Sequence, residues 1–304
     1  MKNQNTPNSP NEGTSSSENR DHNITKVAQV AIVSGANTGI GSVTAKELAR
    51  AGFEVYLACK SLLRAQPIID SINAHNGPGK AFYLELDLEN FESVRACAEQ
   101  FLNTNKPLHL LINNAGVAGK KGKTKSGFEM AFGINHMGHF LLTQLLLDRL
   151  KSSSPSRIVT VASRAHKRAP GEINWLQTLE PTRTWTGITE YAISKLANIQ
   201  FSAELAKHLD GTGVATYSLH PGVVQTEVWR ELPVFLRPLL KLRGMLTPEE
   251  GAQTTLHCAL VAPLEQSGLY YANSAIESPS VLAQNSVLQK QLWDLSLQWV
   301  DKYL

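Results

Sequence analysis

The chain has 304 residues, 42% of them apolar, and carries 29 Lys and Arg against 26 Asp and Glu for a formal net charge of +3. That is ample to bury a core, and one α/β domain of this size is ordinary. The near balance of charge, with no basic stripe interleaved with aromatics, speaks against a nucleic-acid partner, and no apolar run reaches the roughly 20 residues of a transmembrane anchor.

Residues 1–25 are rich in Asn, Ser and Glu and nearly empty of large apolar side chains. Such a segment cannot offset its ordering entropy, so a disordered polar tail is expected; it also lacks the apolar stretch of a signal peptide. From residue 26 to 304 a single domain is expected, in which short β-branched runs alternate with longer stretches of helical spacing. Strands are predicted at residues 28–34, 53–59, 81–86, 108–112, 157–161 and 214–219. Helices are predicted at 39–51, from the second strand through 72, and at 91–102, 126–150 and 190–209. Beyond Pro221 the pattern is less regular, with a helix at 248–260, a short strand near 269–272 and a C-terminal helix. Alternation of this kind predicts βαβ units, and hence a doubly wound Rossmann-type α/β fold: a central parallel sheet with helices on both faces. The three cysteines, Cys59, Cys97 and Cys258, form no CxxC pair, which points to a reducing compartment and a cytoplasmic place. Lys120, Lys121, Lys123 and Lys125 read as a solvated loop. No metal is expected.

The first strand runs into Gly35, Ala36, Asn37, Thr38, Gly39, Ile40 and Gly41, and a helix follows. Glycines let the backbone approach a ligand, and the helix start offers N–H groups and a positive dipole end to a phosphate. Position at the first βα junction makes this more than a turn. NAD-preferring sites place an acid at the end of the second strand. Here Ala58, Cys59, Lys60 and Ser61 stand there, with Arg64 one turn on. Two cations at a helix start are unfavourable for the macrodipole, which implies an anionic partner such as a 2′-phosphate. NADP(H) is therefore expected ahead of NAD(H). Asp87 and Leu88, after the third strand, are placed at the adenine, and Asn114, Ala115 and Gly116 at the end of the fourth, along the sheet edge where a cofactor lies.

Tyr191 and Lys195 stand at i and i+4, on one helix face. A phenol titrates near 10 in water, and a fixed ammonium beside it stabilises the phenolate and lowers that value. Ser163, at the C-terminal end of the fifth strand, is expected to donate to the substrate oxygen. Asn135 lies among Gly133, Ile134, His136, Met137 and Gly138 inside the long helix. Asn and Gly are poor mid-helix residues, and a local distortion there is expected to free Asn135 to hold a water beside Lys195.

The segments GANTGIG, INNAG, INHMGHFLLTQLLL, RIVTVASRAH, YAISKLAN and LHPGVVQTEVW stand in one order over roughly residues 26–299. In that order they resemble the retinol dehydrogenase branch of the short-chain dehydrogenases/reductases. The resemblance implies catalytic roles for Asn135, Ser163, Tyr191 and Lys195, and contacts of Pro221, Gly222, Val224 and Thr226 with the nicotinamide end. It implies an oxidoreductase interconverting an aldehyde or ketone and its alcohol, on an apolar small-molecule substrate. The chain departs from the pattern in three places: Ala162 where a Ser is usual, Lys60 where an Arg is usual, and a polar stretch at 118–121. Membrane-bound members carry an apolar N-terminal anchor where this chain has its polar tail. Alternatives are a nucleotide-binding regulatory or scaffold protein without turnover, and a C=C reductase; a homo-oligomer is left open. Residues 229–243 hold many apolar groups broken by Pro233 and Pro238, and are expected to cap an apolar substrate pocket.

Overall fold

A computed structural model describes residues 28–224 and 245–304. The tail of residues 1–25, Thr226 and the cap expected at 229–243 lie outside the described residues. The first half of the chain gives β1 (Val30–Ser34), α1 (Gly39–Arg50), β2 (Glu54–Cys59), α2 (Leu62–Ala74), β3 (Lys80–Glu85), α3 (Phe91–Leu102) and β4 (Leu110–Asn113). Then come α4 (Met130–Phe132), α5 (Gly138–Ser152), β5 (Ser156–Val161), α6 (Ile188–His208) and β6 (Val214–His220). The chain closes with α7 (Pro248–Leu260), β7 (Tyr270–Ala272), β8 (Ala275–Ile276) and α8 (Ser286–Val300). The described strands form one sheet in the order β3-β2-β1-β4-β5-β6-β7-β8, parallel except for β8. β1, β4 and β6 are buried at every position, as strands covered on both faces must be.

An apolar core packs on each face. One gathers Phe91, Phe128, Phe132, Phe140 and Phe201 under α3, α5, α6 and α8. The other holds Val33, Leu48, Val55, Ile112 and Tyr217 under α1, α2 and α7. α8 adds Trp293, whose ring stacks on His208 at 4.4 Å and meets Phe140 edge-on at 5.3 Å. Helix starts follow local chemistry. Thr247 and Glu250 cap each other at the start of α7, with Pro248 at the first helical position. No helix among the described residues is long and apolar enough to cross a membrane.

The helix predicted over 126–150 begins later and is not continuous. Gly127 has φ +93°, and Thr124 N–H bonds the Phe128 carbonyl at 2.7 Å, so a turn occupies the predicted first residues. Glu129 then caps α4 by accepting from Phe132 N at 2.8 Å. Between α4 and α5 the chain forms a π-helical turn, Gly133–Met137, at the position where a distortion was expected. The β7–β8 hairpin was not predicted. Its two-residue turn puts Asn273 and Ser274 at φ 52° and 57°, the left-handed pair such a hairpin requires.

Candidate active site

β1 leads to β2 and β3 on one side, and the chain then returns to lay β4 on the other side of β1. Ligands collect beyond the C-terminal ends of strands at such a switch point. There a groove of about 580 Å³ runs from the glycine turn to Tyr191 and Lys195. Every described site residue predicted from the sequence lines it, except Asn135, which is buried behind it.

Ser34, the last residue of β1, organises the strand ends. Its Oγ accepts from Asn114 N at 2.9 Å and Ala115 N at 3.0 Å. His139 Nδ1 lies 3.0 Å from the Asn135 carbonyl, which can only accept. Nδ1 is therefore the protonated nitrogen, and Nε2 accepts a hydrogen bond from the Ser34 hydroxyl at 2.8 Å. Burial pushes His139 down to about 4, so it is neutral near pH 7. Gly35, next in the chain, turns at φ +66°, and a Cβ there would lie 2.9 Å from the Ala115 Cα. Only glycine allows that approach of the turn to β4.

The residues present fit a dinucleotide. α1 starts without a side-chain cap from Thr38, and Thr38 to Gly41 line the groove. Its first-turn N–H groups and dipole thus suit a pyrophosphate. At the end expected to take the adenine ribose, Lys60 and Arg64 line the wall, but an anionic partner of Lys60 is supplied by the chain. Lys60 Nζ lies 2.9 Å from Asp87 Oδ2 and 3.6 Å from Glu89 Oε1. Burial pushes the Asp87 carboxyl up, and the Lys60 ammonium with the Glu89 N–H more than reverses it, leaving Asp87 below its ordinary value. The acids come from beyond β3, so inspection of the end of β2 could not find them. Nor is the lysine cluster merely solvated: Lys120 pairs with Glu89, Lys125 with Asp87, and Lys121 lies over the Trp185 ring. Among the described residues no cluster of His, Cys, Asp and Glu could hold a metal.

At the other end β5 delivers Ser163 and α6 delivers Tyr191 and Lys195. Ser163 Oγ accepts from Ala165 N at 3.1 Å and is hydrogen-bonded to the Tyr191 hydroxyl. Lys195 Nζ donates to the Val161 carbonyl at 2.8 Å and lies 5.7 Å from the centre of the Tyr191 ring. The expected lowering of the Tyr191 phenol does not occur in the protein alone. Burial pushes it up to about 12, and the Ser163 hydrogen bond only partly opposes this. Burial also pushes Lys195 down to about 7, which weakens the ammonium charge meant to act on the phenol.

Asn135 joins the loop after β4 to α6. Its side chain accepts from Val117 N at 2.8 Å and donates to the Val117 carbonyl at 3.0 Å and Ser194 Oγ at 2.9 Å. With both ends of the amide engaged, it clamps the loop after β4 onto α6. A Cβ on Gly116 would lie 3.2 Å from Asn135 Oδ1 and 3.5 Å from Lys195 Nζ, so this clamp sets the wall beside the lysine. Pro221, Gly222 and Val224 line the groove after β6. His220 and Arg164, not singled out in the sequence, line it with them. Ser34 and His139 were also missed; a lone Ser closing an otherwise apolar strand was the available signal.

The family model described as short chain dehydrogenase matches residues 29–234. Retinol dehydrogenase 11 of Mus musculus is 46% identical over 278 residues, covering 90% of this chain and 87% of the relative. Retinol dehydrogenase 12 of Mus musculus is 43% identical over 289 residues, 91% of this chain and 89% of the relative. Among solved structures, a protein of unknown function from Mycobacterium Paratuberculosis superposes with a TM-score of 0.72 at 30% identity, over 90% of this chain and 93% of that one. The NADPH-bound carbonyl reductase from chicken fatty liver shares the fold, with a TM-score of 0.64 at 20% identity over 83% of this chain and 99% of that one.

Proposed function

Because the chain belongs to the short-chain dehydrogenase/reductase family, in its retinol dehydrogenase-like branch, we propose that this NAD(P)-dependent oxidoreductase of alcohols and carbonyls prefers NADP(H) and acts on apolar aldehydes or ketones and their alcohols. The observation that carries the reading is one groove joining an uncapped helix start to the hydrogen-bonded Ser163–Tyr191 pair with Lys195 behind it. A bound nicotinamide dinucleotide supplies the hydride. Gly39, Ile40 and Gly41 would hold its pyrophosphate, and Lys60 and Arg64 its adenine ribose.

Ser163 and Tyr191 hold the substrate oxygen by hydrogen bonds. Ala165 N–H orients Ser163 Oγ, which keeps its own proton for that oxygen. In reduction Tyr191 gives its phenolic proton to the oxygen as hydride reaches the carbon, and in oxidation it takes the proton back. A charged Lys195 lowers the cost of the phenolate. NADP(H) preference is supported by the lack of an acid at the end of β2 and by Lys60 and Arg64 in the groove wall. An apolar substrate is supported by the two retinol dehydrogenases above and by Val117, Val223 and Val224 in the lining. The unpaired, buried cysteines support work in a reducing compartment such as the cytoplasm.

The test is initial rates of NADPH and NADH oxidation against long-chain, polyene and steroid carbonyls and against small polar ones. The expected kcat/KM is at least about ten-fold higher with NADPH, the effect of about 1.4 kcal/mol, and higher for the apolar panel. Tyr191→Phe should cut turnover by at least about 10²-fold while dinucleotide still binds. Near-normal turnover in that variant would sink the mechanism.

A further inference from the structure

Charged side chains from just beyond β2, from the turn after β3 and from the loop after β4 meet at the ribose end of the groove. Glu89 is shared by two lysines: Lys60 lies 3.6 Å from its Oε1, and Lys120 pairs with the same oxygen. Lys60 is also paired with Asp87, and Asp87 with Lys125 at 3.5 Å. Lys60, Asp87, Glu89 and Lys120 all line the groove. Glu89 is held in place. Its side chain is 17% exposed, its N–H donates to Asp87 Oδ1 at 3.2 Å, and its carbonyl accepts from Ser126 N at 3.2 Å. Ammonium groups and carboxylates thus alternate across the groove, each satisfying its neighbour.

A ribose 2′-hydroxyl disturbs none of this. A 2′-phosphate carries close to two negative charges and draws Lys60 toward itself. Lys60 would then turn from Glu89, whose anchored backbone keeps its carboxylate at this end of the groove as a like charge to the phosphate. We propose that Glu89 is a specificity-determining residue: by competing for Lys60 and Lys120, it holds down discrimination in favour of 2′-phosphorylated adenine nucleotides. The inference rests on the groove's reading as a dinucleotide site. It names the residue that limits the NADP(H) preference there.

The experiment is titration calorimetry of the full chain with adenosine 2′,5′-bisphosphate and with adenosine 5′-monophosphate. Glu89→Gln should bind the bisphosphate about ten-fold tighter, or about 1.4 kcal/mol, with the monophosphate changed less than two-fold. Glu89→Ala should move the same way. The gain should shrink in added salt, and it should fall by more than half, on a logarithmic scale, in a Lys60→Ala background. A Glu89→Gln protein that binds the bisphosphate no tighter, or gains equally for both nucleotides, overturns the proposal. A gain that survives undiminished without Lys60 overturns it as well. A wild-type chain that binds the two nucleotides equally well counts against the NADP(H) preference alone, because the Glu89 comparison still stands. Binding of neither nucleotide by any of the proteins overturns both readings.

Discussion

Lys195 is 3% exposed, and its Nζ donates to the Val161 carbonyl, which also accepts from Asn198 Nδ2 at 3.2 Å. Burial pushes its ammonium from 10.5 down to about 7. The fold therefore favours the neutral amine, so the stability linked to this group is present above 10.5 and is lost as pH falls toward about 7. Below that the penalty is complete, because the amine is protonated in folded and unfolded chains alike. A tenfold change in proton affinity corresponds to about 1.4 kcal/mol, and relaxation in a real interior leaves a penalty on the order of 2–4 kcal/mol near neutrality. Lys195→Met should then raise Tm at pH 7 by at least about 4 °C while turnover is lost. Scanning calorimetry of both proteins from pH 7 to 10.5 should show the gap closing as pH rises. A variant that melts at or below wild type removes the argument. Tyr191, Lys195 and Ser163 were legible in the sequence because their spacing and strand-end placement carry the chemistry. Ser34 and His139 were not, because their roles depend on partners 80 and 105 positions away.

The π-helical turn at Gly133–Met137 is what brings Asn135 to Val117 and Ser194. An uninterrupted α-helix would rotate the residues after it and lose that alignment. Asn135→Ala removes the clamp and leaves the Val117 N–H and carbonyl without it. The expected cost is about 2–3 kcal/mol, since unsatisfied buried polar groups cost about 1–3 kcal/mol each. Urea unfolding would measure it. Because the clamp positions the wall beside Lys195, kcat should fall further than dinucleotide affinity. Equal losses in both would assign Asn135 a purely structural role. The sequence marked this stretch as poor helix, yet a π turn is decided by the neighbours that take up its side chains.

Over the whole molecule, burial keeps several histidines neutral. His136 is pushed down to about 3, and His139 and His220 to about 4. These values lie below the 6.5 of an unfolded histidine, so the unfolded chain binds more protons between the two. Stability from these groups is full above 6.5, declines as pH falls through that value, and is gone near the folded values. The slope is at most about 1.4 kcal/mol per pH unit for each group. A drop on the order of 3 kcal/mol from pH 7 to pH 5 is a large share of a typical total of about 5–15 kcal/mol. Urea midpoints at the two pH values should differ accordingly, and His139→Gln should flatten the slope. A stability that stays level from pH 7 to 5 would contradict neutral burial.

The sequence by itself determined the doubly wound fold, the glycine turn and the Tyr191–Lys195 spacing. Each is written in local periodicity or in residues a few positions apart, which act through backbone geometry alone. It also located the distortion around Asn135, because Gly and Asn disfavour a helix wherever they stand. Tertiary structure decided what those residues touch. It brought Asp87 and Glu89 from beyond β3 to Lys60 at the end of β2, so Lys60 is ion-paired within the chain. It buried Lys195 and Tyr191 together, so desolvation outweighs the mutual stabilisation expected from their spacing. Both effects are electrostatic, and electrostatic energy depends on distance and dielectric, which only the folded arrangement defines.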